Sequence, residues 1–241
     1  QEGVLGVTSP RNLKMTLPYF GDHRQFRDVY MHELAHQFTI QKVRTYAQRK
    51  KAVRDPLNSF PLWYIEGLAE YYNHMGLDQE TRALIRDLVL HPEPRRGYVQ
   101  PDFFDDRPRS YLTTYKFGQV RCAFLEDVYG KGTLQQILKT SPRMVGTEKN
   151  PKGLGSFSKL LTHITGDSKE RIKDRFSAWL KRWVYRSFLE ARQRPTDYDR
   201  IDEVEGRAMA LRTSENGDLL LYRTINPHAG RVELQIAHRK S

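Results

Sequence analysis

Met31-His32-Glu33-Leu34-Ala35-His36-Gln37 spells H-E-x-x-H inside a run whose apolar residues recur at helical spacing. Phe26, Val29, Tyr30, Leu34, Phe38 and Val43 set that spacing, which predicts a helix over about 25–51. Asp22 can cap its start, just after a turn at Tyr19-Phe20-Gly21. On such a helix His32 and His36 lie one turn apart on one face, so both imidazoles can reach one metal ion. Glu33 stands beside them, where a carboxylate can take a proton from a metal-activated water. That arrangement suits a zinc hydrolase. The alternative is a pair of solvated histidines next to a glutamate.

Two histidines leave a catalytic zinc short of a ligand, because such sites usually take three protein ligands and keep one position open. A third His in the pattern H-E-x-x-H-x-x-G-x-x-H would need Gly and His where Thr39 and Lys42 stand, so that class is excluded. The remaining source is the next helix, predicted over 62–75 behind Pro61 and ended by Gly76. It carries Glu66 and Glu70 at i, i+4, so one can bind metal while the other orients a histidine from behind. Trp63, Ile65 and Leu68 flank Glu66 and make it the preferred ligand, with His74 near the helix end as the competitor. Gly67 and Ala69 are small enough to let the two helices approach closely.

Elsewhere the chain alternates helical runs with breakers. Residues 3–17 read as extended, with an alternating Leu13-Lys14-Met15-Thr16-Leu17 stretch. Further helices are predicted over 79–90, 111–129, 134–139, 157–164 and 169–192, with a Pro- and Arg-rich connector at 91–108 and a flexible loop at 141–155. The last helix carries Phe176, Trp179, Trp183, Tyr185 and Phe188, a stripe expected to pack on the domain. After Pro195 three strands are expected at 208–211, 219–224 and 232–237. The chain therefore divides at about residue 195: a mainly α-helical α+β domain over 1–195, then a short β-meander over 196–241.

The net charge of +11 and the sequence pI near 9.7 raise the question of anionic partners. The basic residues are dispersed, however, with clusters at Arg44–Arg54 and Lys169–Arg194 on amphipathic helices, so they read as solvated faces and no nucleic-acid partner is expected. One cysteine, Cys122, excludes an intrachain disulfide and a Cys-rich zinc site, and its apolar surroundings suit a small core residue. No run approaches the roughly 18–20 apolar residues of a membrane span.

His32-Glu33-Leu34-Ala35-His36-Gln37, followed by Trp63-Tyr64-Ile65-Glu66-Gly67-Leu68-Ala69-Glu70-Tyr71, resembles the gluzincin metallopeptidases, whose pattern is H-E-x-x-H and then a zinc-binding Glu in a W-x-x-E-G-x-A context. The resemblance implies a thermolysin- or aminopeptidase-like catalytic domain, with an active-site helix pair and an N-terminal edge strand. It implies Zn2+ on His32, His36 and Glu66, with Glu33 as general base; Glu70, by its spacing from Glu66, is left to orient a histidine from behind. Thr114-Tyr115-Lys116-Phe117-Gly118 resembles the Y-x-K-G segment of the aminopeptidase branch, where the tyrosine stabilises the oxyanion. Tyr115 is the candidate for that role, with Tyr111 as its competitor.

Two departures stand out. The spacing between His36 and Glu66 is longer than in the aminopeptidases, with a basic insert over 44–59, and their G-x-M-E-N motif for the substrate amine is absent. The resemblance is better to the peptidase-like domain that precedes TolB-type β-propellers. It implies an extracytoplasmic zinc endopeptidase acting on a peptide or protein substrate. Ser214–Tyr222 resembles the start of a propeller blade, so a propeller is expected downstream. The rival expectations are a non-catalytic zinc-containing peptide-binding module, an exopeptidase, and a basic surface-binding protein that holds no metal.

Overall fold

The computed structural model describes residues 6–19, 21–90, 102–105, 112–193, 207–226 and 231–238. The chain divides into two compact units, Gln1–Gln193 and Arg194–Ser241. The first is mainly helical and the second is a small sheet, an α+β composition. Among the described residues no helix is long and apolar enough to cross a membrane.

The first unit opens with two-residue strands β1 (Val7–Thr8) and β2 (Met15–Thr16), paired antiparallel. Helix α1 spans His23–Arg49, and its first amides are satisfied by the Asp22 carboxylate, which accepts from the backbone N–H groups of Arg24 and Gln25. Helix α2 spans Leu62–His74 and ends on Met75 in the left-handed conformation, one residue before the glycine expected to stop it. Helix α3 follows at Gln79–Leu90. A π-helical turn at Leu112–Lys116 leads into α4, Phe117–Tyr129. The short helices α5 (Thr133–Thr140), α6 (Pro142–Val145) and α7 (Phe157–Thr165) precede the long α8, Lys169–Gln193.

Helix α4 forms the centre: Phe117 to Glu126 are all buried, and the helix shows no solvent face before Asp127 in its last turn. Around it Trp63, Phe103, Phe124, Phe157 and Phe176 meet edge to face with ring centroids 5.2–5.7 Å apart. Cys122 is buried there, as a core residue. Helix α8 packs through Ile172, Phe176, Leu180 and Val184, with Trp179 and Trp183 partly buried beside them. Tyr185 does not join that face. It is 50% exposed, because it follows Val184 directly and so lies about 100° around the helix from the stripe set by residues four apart.

Contact between α2 and α4 is made by backbone. A methyl group at Gly67 would sit 2.1 Å from the Gly118 carbonyl carbon, and one at Gly118 would sit 2.3 Å from the Trp63 oxygen. Gly67 therefore serves the α2–α4 contact rather than the expected α1–α2 approach. Gly67→Ala is expected to destabilise the fold by about 1–3 kcal/mol by overpacking, read as a drop in Tm in a thermal melt followed by circular dichroism.

Residues 141–155 form a structured connection, not the flexible loop that its Pro and Gly content predicted. Pro142, Met144 and Val145 of α6 are buried. Thr147 bridges to Ala52, and the Val53 amide donates to the Gly146 carbonyl at 3.1 Å. Gly146 has φ +91°, and a side chain there would strike the Pro151 carbonyl, so its glycine serves close packing. The basic insert after His36 lengthens α1 and then docks on this connection.

In the second unit β3 (Arg207–Thr213), β4 (Leu219–Asn226) and β5 (Arg231–His238) form an antiparallel meander, each longer than the strand expected at its place. Gly217, at φ +77°, makes the β3–β4 turn.

Candidate metal centre

Helices α1 and α2 run antiparallel. His32 reaches Glu66 and Glu70, His36 reaches Glu66, and the Asn73 amide donates to the Asp28 carbonyl one turn further along. This packing brings His32 Nε2, His36 Nε2 and Glu66 Oε2 to one point. The two nitrogens are 3.0 Å apart, and the carboxylate oxygen lies 3.2 Å from the first and 3.1 Å from the second. Ligand atoms on a tetrahedral zinc, with bonds of about 2.0–2.2 Å, stand roughly 3.3 Å from one another. The three atoms therefore have the spacing of one coordination set, and their residue types suit zinc.

Charge follows the crowding. Burial pushes the Glu66 carboxyl up, but hydrogen bonds to His32 and His36 outweigh it and hold the group at about 2. Burial pulls His32 down, yet its hydrogen bonds to Glu66 and Glu70, with their charges, raise it to about 9.

Glu33 is buried beside the cluster, and its Oε2 has no hydrogen-bond partner among the described residues. A buried carboxyl oxygen without a partner is costly, and a water molecule is a group able to supply one. The hairpin walls this glutamate in. Thr8 Oγ1 donates to the Glu33 carbonyl at 3.0 Å, and a Cβ at Gly6 would lie 2.9 Å from Glu33 Cγ. The Gln37 side-chain amide donates to the Leu13 carbonyl, tying the hairpin to α1 at a second point.

Tyr115 sits in the π-helical turn with its ring stacked on His32, centroids 5.8 Å apart. Tyr111 lies outside the described residues. Glu70 divides its two oxygens. Oε1 accepts from His32 Nδ1 at 2.9 Å, and Oε2 accepts from Lys116 Nζ at 3.0 Å. His74, the competing ligand, falls elsewhere. With Glu70 and Asp78 it makes a second group of acidic and imidazole side chains, but the Lys116 ammonium stands there, 2.8 Å from Asp78 Oδ2. His74 Nε2 keeps 3.6 Å from Asp78 and 3.8 Å from Glu70.

Sequence reasoning missed Lys116 and Asp78 as neighbours of the centre. The only signal was that Lys116 follows Tyr115 in the quoted segment. Nothing in the spacing of Glu70 and Asp78 announced a shared lysine 46 residues from the first and 38 from the second.

The helices that build the centre also carry the likeness to known proteins. Residues 25–83 match the family model described as M61 glycyl aminopeptidase, a zinc metallopeptidase family. That match supports a metallopeptidase. It covers α1, α2 and the start of α3, about a quarter of the chain. No curated protein and no solved structure matches the chain.

Proposed function

We propose that this protein is a zinc-dependent endopeptidase of the H-E-x-x-H…E type. The reading is carried by the convergence of His32, His36 and Glu66 beside the buried, unpartnered Glu33 oxygen. Zinc held by those three residues supplies a Lewis acid that acidifies water and polarises a peptide carbonyl. Glu33 accepts the proton of the attacking water and hands it to the leaving amine. The Tyr115 hydroxyl donates to the developing oxyanion. Glu70 holds His32 with Nδ1–H directed at its carboxylate, which leaves Nε2 for the ion. An extended substrate pairs by edge addition with the strand within 13–17, which is β2.

The hairpin favours internal cleavage. Residues 6–19 carry Arg11 and Lys14 but no acidic side chain, so they offer no carboxylate to a substrate's free ammonium. The second reading, an aminopeptidase, is favoured by the description of the matching family. A downstream β-propeller and an extracytoplasmic location rest on the sequence resemblance alone.

The test compares internally quenched peptides with a free or an acetylated N-terminus, with zinc present and after chelation. Chelator-sensitive cleavage of both supports the endopeptidase. Cleavage of the free peptide only moves the reading to an aminopeptidase. Bound zinc with neither peptide cut overturns the enzyme and leaves a peptide-binding module.

A further inference from the structure

We propose that Lys116 is a positioning residue of the metal centre, fixing through Glu70 the orientation in which His32 meets the ion. The inference rests on the metal-centre reading above and adds to it a residue outside the ligand set and its immediate partner.

Lys116 is 4% exposed, and lysines are almost never so buried unless paired. Its ammonium meets Glu70 Oε2 at 3.0 Å, Asp78 Oδ2 at 2.8 Å and Glu80 Oε2 at 3.3 Å. Two of these partners are themselves buried or nearly so, which fixes the ammonium between α2 and the start of α3. Glu70 carries the effect to the centre, because its other oxygen takes Nδ1 of His32 at 2.9 Å. A carboxylate held at both oxygens cannot turn about its last torsion, so the imidazole it holds cannot tilt freely either. Without the lysine, the imidazole of His74 lies 3.8 Å from Glu70 Oε2, too far for a hydrogen bond.

The π-helical turn explains why Lys116 and Tyr115 act from adjacent positions. Leu112–Lys116 is wound more widely than α4, and its last two residues face the same histidine by different routes. Tyr115 stacks on the His32 ring, while Lys116 reaches its Nδ1 partner. Such turns are frequent at functional sites because they re-aim side chains without ending the helix. Partners behind a metal-bound histidine typically set affinity by 10–100-fold, and a residue that fixes such a partner acts on the same quantity.

The experiment measures zinc Kd by chelator competition in the full chain for the wild type, Lys116→Met, Lys116→Gln and Lys116→Arg. The visible spectrum of each cobalt-loaded form is recorded alongside. Lys173→Met, which breaks the Lys173–Asp102 pair at 2.7 Å in the same unit, controls for loss of an ion pair as such. The expected result is zinc binding about 10–100-fold weaker in Lys116→Met and Lys116→Gln, with a shifted cobalt spectrum. Lys116→Arg, which can still hold two carboxylates, is expected to restore binding to within roughly threefold, and Lys173→Met to bind as the wild type does. Lys116→Gln is one atom shorter but keeps a polar amide with two N–H donors, so it decides the matter if Lys116→Met fails to fold. A folded Lys116→Gln with wild-type Kd and spectrum overturns the inference and leaves the metal centre standing. A wild type that takes up no zinc overturns the metal centre itself, and this inference with it.

Discussion

Glu33→Gln is expected to keep about one zinc per chain and to lose peptide hydrolysis by roughly 10²–10⁴-fold or more. The two halves of that result have separate causes. Glu33 contributes no atom to the cluster of His32, His36 and Glu66, so its replacement removes no ligand. Glutamine has nearly the same shape, and Gly6, which leaves room over Glu33 by having no side chain, leaves the same room over the amide. What disappears is the base. An amide oxygen cannot take the proton of the attacking water, and no other carboxylate is buried beside the ligands without a partner among the described residues. Elemental mass spectrometry gives the zinc, and turnover of a quenched peptide gives the rate. Wild-type turnover in this variant would end the proposed mechanism.

His36→Ala is expected to abolish zinc retention, with a loss larger than the roughly 10–100-fold typical of changes behind a ligand. His36 supplies one of three converging atoms, and a tetrahedral site cannot close with two protein donors. The paired control is His74→Ala. That histidine belongs to the group around the Lys116 ammonium, so its loss leaves the zinc in place. Metal content per chain, measured side by side for both variants and the wild type, separates the two groups. Zinc lost from His74→Ala but kept by His36→Ala would move the centre to the second cluster. Zinc should also raise the Tm of the wild type and leave that of His36→Ala unchanged, because an ion stabilises only a fold that binds it.

The amino-acid sequence by itself determined whatever is set within one or two helical turns. The face shared by His32 and His36 follows from a spacing of four, and so does that of Glu66 and Glu70. The main helices begin and end near their apolar periodicity and their breakers, and the C-terminal meander shows in its turn residues. Tertiary structure alone decided which partners these residues meet. It joined Glu70 to Lys116 as well as to His32, and it set the Lys116 ammonium in the group that holds His74 and Asp78. It turned Gly67 toward α4, folded residues 141–155 against the insert after α1, and laid Gly6 over Glu33. The reason is physical. Helical periodicity is encoded by neighbours along the chain, whereas a ligand set or a buried ion pair joins residues 30 to 46 positions apart. Which of several carboxylates faces which histidine then depends on how large side chains and bare backbone let the helices slide and rotate, a property of the packed core.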